Sequence, residues 1–143
     1  MTVFPARVSH AVLHEISLHL PEPPSVNHYY TVARGRKILS AAGRAYKLAV
    51  KAAYLREFRT TKIALPDGPI AVQMVWTRGR KSGDLDNRWK ALLDALKGLA
   101  YADDQQIIEQ HGYRRDAKGQ PGIQVVISRT TAESAFTSPT YSG

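Results

Sequence analysis

IAVQMVW at residues 70–76 and DLDNRWKALLDAL at 84–96 flank a short basic loop, and the apolar period changes between them. In the first stretch Ile70, Val72, Met74 and Trp76 alternate with their neighbours, the period of two that marks a half-buried strand. In the second, Trp89, Leu92, Leu93 and Leu96 recur at helical spacing, which predicts a helix over 87–98 stopped by Gly98. A strand thus gives way to a helix across residues 77–86, which carry both basic residues and the Asp84/Asp86 pair.

Working outward, VLHEISLHL at 12–20, QQIIEQHGYR at 105–114 and GIQVVIS at 122–128 read as further strands. Ser40 is placed to cap a helix over 41–58, whose stripe is Tyr46, Ala49, Val50, Ala53, Tyr54 and Phe58. PEPPSVN at 21–27 is barred from regular helix by its prolines, PDG at 66–68 is a turn, and RGRK at 34–37 is a basic hairpin tip or loop around Gly35. Strands and helices in this order predict an α+β fold, a single compact domain with a mixed β-sheet and two main helices. The domain is expected over 12–129, with flexible segments at 1–11 and 130–143.

A chain of 143 residues fits one domain, large enough to bury a core without staples. It has no cysteine, which excludes a disulfide framework and any thiolate metal site. The N-terminus has no charged head before an apolar run, and no apolar stretch approaches the roughly 20 residues that span a bilayer. A soluble, cytoplasmic protein is the expectation. Twenty Lys and Arg against twelve Asp and Glu leave a net charge of +8, which points to a polyanionic partner, nucleic acid ahead of membrane, or simply to a basic surface.

Within this basic chain Asp84 and Asp86 stand two residues apart, among Arg78, Arg80, Lys81, Arg88 and Lys90. Extended backbone here would turn both carboxylates one way and Leu85 to the core, forming a hard-oxygen site suited to Mg²⁺ or Mn²⁺. Asp103 and Asp104 open the next strand and could return a third carboxylate to the pair. Three acids on a basic surface suit metal-assisted phosphodiester hydrolysis. Lys90, one helical turn after Asp86, would stabilise charge on phosphorane oxygens. The same residues also read as a helix cap and an Asp86–Lys90 surface pair worth under about 1 kcal/mol. Arg34, Arg36 and Lys37 read as a solvated hairpin or as a clamp on a DNA backbone. Tyr29 and Tyr30 would stack on bases or contact phosphates, or else open a core strand. His10 and His14 lack a third ligand for zinc, and the sequence offers Ser25, Ser40 and Ser82 no histidine partner that would suggest a nucleophile.

Four motifs carry a resemblance: PPSVNHYY at 23–30, SAAGRAYK at 40–47, DLDNRWKALLDAL at 84–96 and DDQQI at 103–107. In this order they resemble the RusA family of Holliday junction resolvases, which are crossover junction endodeoxyribonucleases. The resemblance implies a homodimer that uses Mg²⁺ and resolves four-way DNA junctions by paired symmetric nicks; Mn²⁺ is the expected substitute from the hard-oxygen ligands. It implies catalytic roles for Asp84, Asp86, Asp104 and Lys90, with the three acids as metal ligands. Asp103 is kept as an auxiliary ligand, since a loop of different length would shift the register. Arg34, Arg36, Lys37, Arg78, Arg80, Lys81 and Arg88 are the expected DNA contacts. The rival readings are a nuclease for other branched DNA and a non-catalytic protein that binds DNA structures.

Overall fold

The computed structural model describes residues 14–79, 83–117 and 120–130. The segments expected to be flexible, 1–11 and 130–143, lie outside them apart from Thr130. In chain order the elements are β1 (Glu15–Leu20), α1 (Val26–Tyr29), β2 (Tyr30–Ala33), β3 (Arg36–Leu39), α2 (Ala41–Phe58), β4 (Ile70–Arg78), α3 (Trp89–Leu96), β5 (Ile107–Asp116) and β6 (Gly122–Arg129). Short 3-10 turns at Leu85–Arg88 and Asp104–Gln106 precede α3 and β5.

β4 is the organising strand. It pairs antiparallel with β6 and parallel with β5, and β1 closes the far side in the order β1-β6-β4-β5. The fold is α+β with a mixed sheet and two main helices, α2 and α3, as the patterning implied. The period of two holds: Ile16, Leu18 and Leu20 pair across to Ile127, Val125 and Ile123, and all six are buried. Val72, Met74 and Trp76 continue that face on β4. Tyr46, Val50 and Tyr54 of α2 and Ala91, Leu92, Ala95 and Leu96 of α3 belong to the same core. Each large apolar side chain there is worth about 1.5–3 kcal/mol of transfer free energy.

α2 begins where its sequence says. The Ser40 side chain accepts from the Gly43 amide at 2.9 Å and donates toward the carbonyls of His28 and Tyr29. One hydroxyl thus caps α2 and ties it to the end of α1. Gly43 faces that junction, and a Cβ built on it would stand 2.6 Å from the Tyr29 carbonyl oxygen. β2 and β3 form the basic hairpin, its two-residue tip Arg34–Gly35 having positive φ at both positions, 53° and 73°. That geometry matches the twist of the flanking strands. Among the described residues no helix is long and apolar enough to cross a membrane.

Gly43→Ala is a direct test of this junction. Alanine favours helix by about 1 kcal/mol, but here its methyl meets a backbone oxygen that cannot rotate aside. We expect a net loss of about 1–3 kcal/mol in urea unfolding. An unchanged or raised midpoint would show that α1 moves away freely.

Candidate active site

The acidic turn hangs between the end of β4 and the start of α3. Asp84 is extended, and Asp86 lies in the following 3-10 turn, so this stretch is not the continuous extended chain expected from sequence. Burial nonetheless separates Leu85 from the two acids. Asp84 and Asp86 are exposed, while Leu85 packs against the core. Asp84 holds the cap position without using its side chain. Among the described residues neither carboxylate has a hydrogen-bond or ion-pair partner.

Three interactions hold this turn in place. Leu85 and Trp89 seat on Gly112 of β5, where a Cβ would come within 3.3 Å of both side chains. Arg78 forms a bidentate pair with Asp116 at 2.9 and 3.0 Å and donates to the Gly83 carbonyl at 3.1 Å. Arg88 lies 4.6 Å over the Trp76 ring and donates to the Pro23 carbonyl. Trp76 in turn donates to Glu22 at 2.8 Å. Arg78 and Arg88, expected on sequence to face DNA, are therefore drawn into the fold. Their guanidiniums replace solvent with a carboxylate, carbonyls and an aromatic face. Arg80 and Lys81 lie outside the described residues.

Lys90 is exposed and near the start of α3, but its partner is Asp94 at 3.3 Å rather than Asp86. The reason is helical phase. Asp86 sits in a 3-10 turn of three residues per turn, so a four-residue spacing does not stack the two side chains as it would in an α-helix. Partial desolvation opposes the charge on Lys90, but Asp94 and Tyr30 outweigh it and hold its pKa above the ordinary lysine value. Lys90 is thus an ammonium at neutral pH.

The DD pair divides its work. Asp103 caps the second 3-10 turn, accepting from the Gln105 amide at 3.0 Å, and the Gln106 side chain returns to the Asp103 amide at 2.9 Å. This capping box occupies Asp103. Asp104 instead accepts from the Tyr101 hydroxyl at 3.3 Å and lies 3.8 Å from the Lys97 ammonium. Parallel pairing of β4 and β5 sets Ile70 beside Ile107 and Arg78 beside Asp116. Asp104 precedes the Ile70 end of the pair, while Leu85 of the Asp84 turn packs on Gly112, which stands beside Met74 in the middle of β4. Among the described residues no three His, Asp or Glu side chains form a group able to hold a metal.

Arg34, Arg36 and Lys37 are all exposed along the β2–β3 hairpin, with the Lys37 ammonium 4.4 Å from the Tyr30 ring centroid. Asp94 is the residue that sequence reasoning missed. Its spacing of four from Lys90 was the available signal.

The model of the family described as Endodeoxyribonuclease RusA matches residues 21–128. Crossover junction endodeoxyribonuclease RusA of Shigella sonnei (strain Ss046) is 36% identical over 95 residues, covering 65% of this chain and 77% of the relative. The protein of that name from Escherichia coli (strain K12) shows the same identity and coverage, 36% over 95 residues. That of Enterobacteria phage 82 is 36% identical over 92 residues, covering 63% of this chain and 74% of its own. The matched region runs from the proline segment before α1 through the acidic turn to β6, and the chain belongs to the RusA family of endodeoxyribonucleases.

Proposed function

We propose that this protein is a structure-selective endodeoxyribonuclease that resolves Holliday junctions by paired symmetric nicks, in cytoplasmic DNA recombination and repair. One observation carries the reading: the two exposed, unpartnered carboxylates of Asp84 and Asp86, braced by Arg78, Arg88, Leu85 and Trp89 in the family-matched region. Carboxylates left unpaired in so basic a chain are available to a cation, and their hard oxygens fit Mg²⁺, with Mn²⁺ as substitute. Mg²⁺ bound there would supply Lewis acidity and an activated water for phosphodiester hydrolysis. Asp104 is the third acid of the proposal. Its substitution tests that assignment separately.

The chain's own groups do the rest. Lys90, held protonated, offsets charge on the phosphate oxygens as it builds. Arg34, Arg36 and Lys37 grip the sugar–phosphate backbone of a junction arm, which positions the DNA without reading sequence. A four-way junction has approximate two-fold symmetry, so a homodimer presents one site to each of two opposed strands.

The deciding experiment compares a labelled four-way junction with its linear duplex, in Mg²⁺ and then in EDTA. Paired nicks in opposed strands, absent from the duplex and with EDTA, are expected. Asp84→Asn and Asp104→Asn should each abolish cutting, while junction binding is kept or tightened by loss of a carboxylate near phosphate. Tight binding without cutting would favour a non-catalytic junction binder, and equal cutting of all branched substrates a general nuclease. Normal cutting by Asp104→Asn alone would remove that residue from the site.

Salt gives a second check. Three hairpin cations in each of two protomers, displacing counterions from about six phosphates, weaken binding roughly 10³-fold between 50 and 200 mM salt. Replacing Arg34 and Arg36 by Gln should flatten the log–log slope by about 0.9 for each phosphate no longer neutralised. An unaltered slope would place the DNA elsewhere.

A further inference from the structure

The tyrosine pair Tyr29–Tyr30 has no task in the mechanism above, yet it converges on the lysine that does. The Tyr30 hydroxyl donates to one oxygen of Asp94 at 3.4 Å, and the other oxygen holds the Lys90 ammonium at 3.3 Å. Tyr29, fully buried, packs edge-on against Tyr30 with ring centroids 4.8 Å apart. Its hydroxyl makes no hydrogen bond of ordinary geometry. It is nonetheless near enough to Asp94 that, after burial, this carboxylate is the main influence raising its pKa. Asp94 itself is three-quarters shielded on its side chain, whereas Lys90 is about half exposed, at 23% and 48%. An exposed lysine has four rotatable bonds, and a single surface partner restrains it weakly. Here the partner is held by a second residue 64 positions away in sequence.

We propose that Asp94 is a positioning residue: anchored by Tyr30, its carboxylate fixes where the Lys90 ammonium points when a DNA phosphate enters. Tyr30 is also the first residue of β2 and carries Lys37 over its ring. The hairpin that grips the junction and the lysine that acts at the cut are thereby joined through one carboxylate and one phenol. This inference rests on the nuclease reading of Lys90.

The test uses the full chain with Asp94→Asn, Asp94→Glu, Tyr30→Phe, Lys90→Ala and the double variant Asp94→Asn/Lys90→Ala. Junction affinity is measured in EDTA, and single-turnover cleavage in Mg²⁺. Asp94→Asn should slow cleavage about 10-fold or more, the usual scale for losing an orienting partner, with the junction Kd within about twofold. Asp94→Glu should recover part of the rate, and the double variant should cut no slower than Lys90→Ala alone. Wild-type cleavage by Asp94→Asn, a parallel loss of affinity, or losses that multiply in the double variant would overturn the proposal. Should Asp94→Asn fail to fold, Tyr30→Phe decides, alone and combined with Lys90→Ala, because it removes one hydroxyl. A slower cut only when Lys90 is present supports the proposal, and equal loss with and without Lys90 overturns it. A wild-type protein that cuts no junction would end the nuclease reading and this inference together, whereas normal cutting by both Asp94→Asn and Tyr30→Phe would end the inference alone.

Discussion

Parallel neighbours cannot be joined by a tight turn, because the chain must travel back along the sheet before it can enter the second strand in the same direction. β4 and β5 are such a pair, and α3 is the return path. The residues that bear the proposed chemistry lie along this crossover: Asp84 and Asp86 where it leaves the sheet, Lys90 and Asp94 on its helix, Asp104 where it rejoins. The helix is held down by apolar residues on one face and by Leu85 and Trp89 in the notch at Gly112. A crossover rigid at both ends keeps the polar groups on its outer face at set positions.

Cationic residues in this chain perform two unlike jobs. Some brace the interior: Arg78 joins the ends of β4 and β5 through Asp116, and Arg88 binds the acidic turn to the proline segment before α1. Others, on the β2–β3 hairpin, stay in solvent. The net charge of +8 counts both alike. The hairpin cations are among those whose charge faces solvent, open to a polyanion.

What could be read from sequence was local. The strand and helix periods, the Ser40 cap and the exposed acids around Leu85 depend on neighbours a few residues apart, and they stand in the structure as read. The direction of β5 was not legible, since a parallel and an antiparallel strand show the same alternation. Nor was the inward turn of Arg88, whose carbonyl acceptor lies 65 residues away. The 3-10 turn after Asp84 was also hidden. It changes the phase of the chain just before α3, and so the lysine spaced for Asp86 found Asp94. The hold on Asp94 was hidden as well, because Tyr30 reaches it from a strand 64 positions away.

The hairpin tip has one further consequence. Arg34 holds φ of 53°, a conformation that glycine or asparagine adopts with less strain, and a side chain as long as arginine gains nothing from it sterically. Replacement by asparagine would give the turn its preferred Asn-Gly pair and relieve that strain. A selection for thermostability alone would thus be drawn to this position, and would strip a cation from the surface proposed to meet DNA. The tip is a place where robustness and grip pull against each other, and arginine marks the side on which this chain has settled.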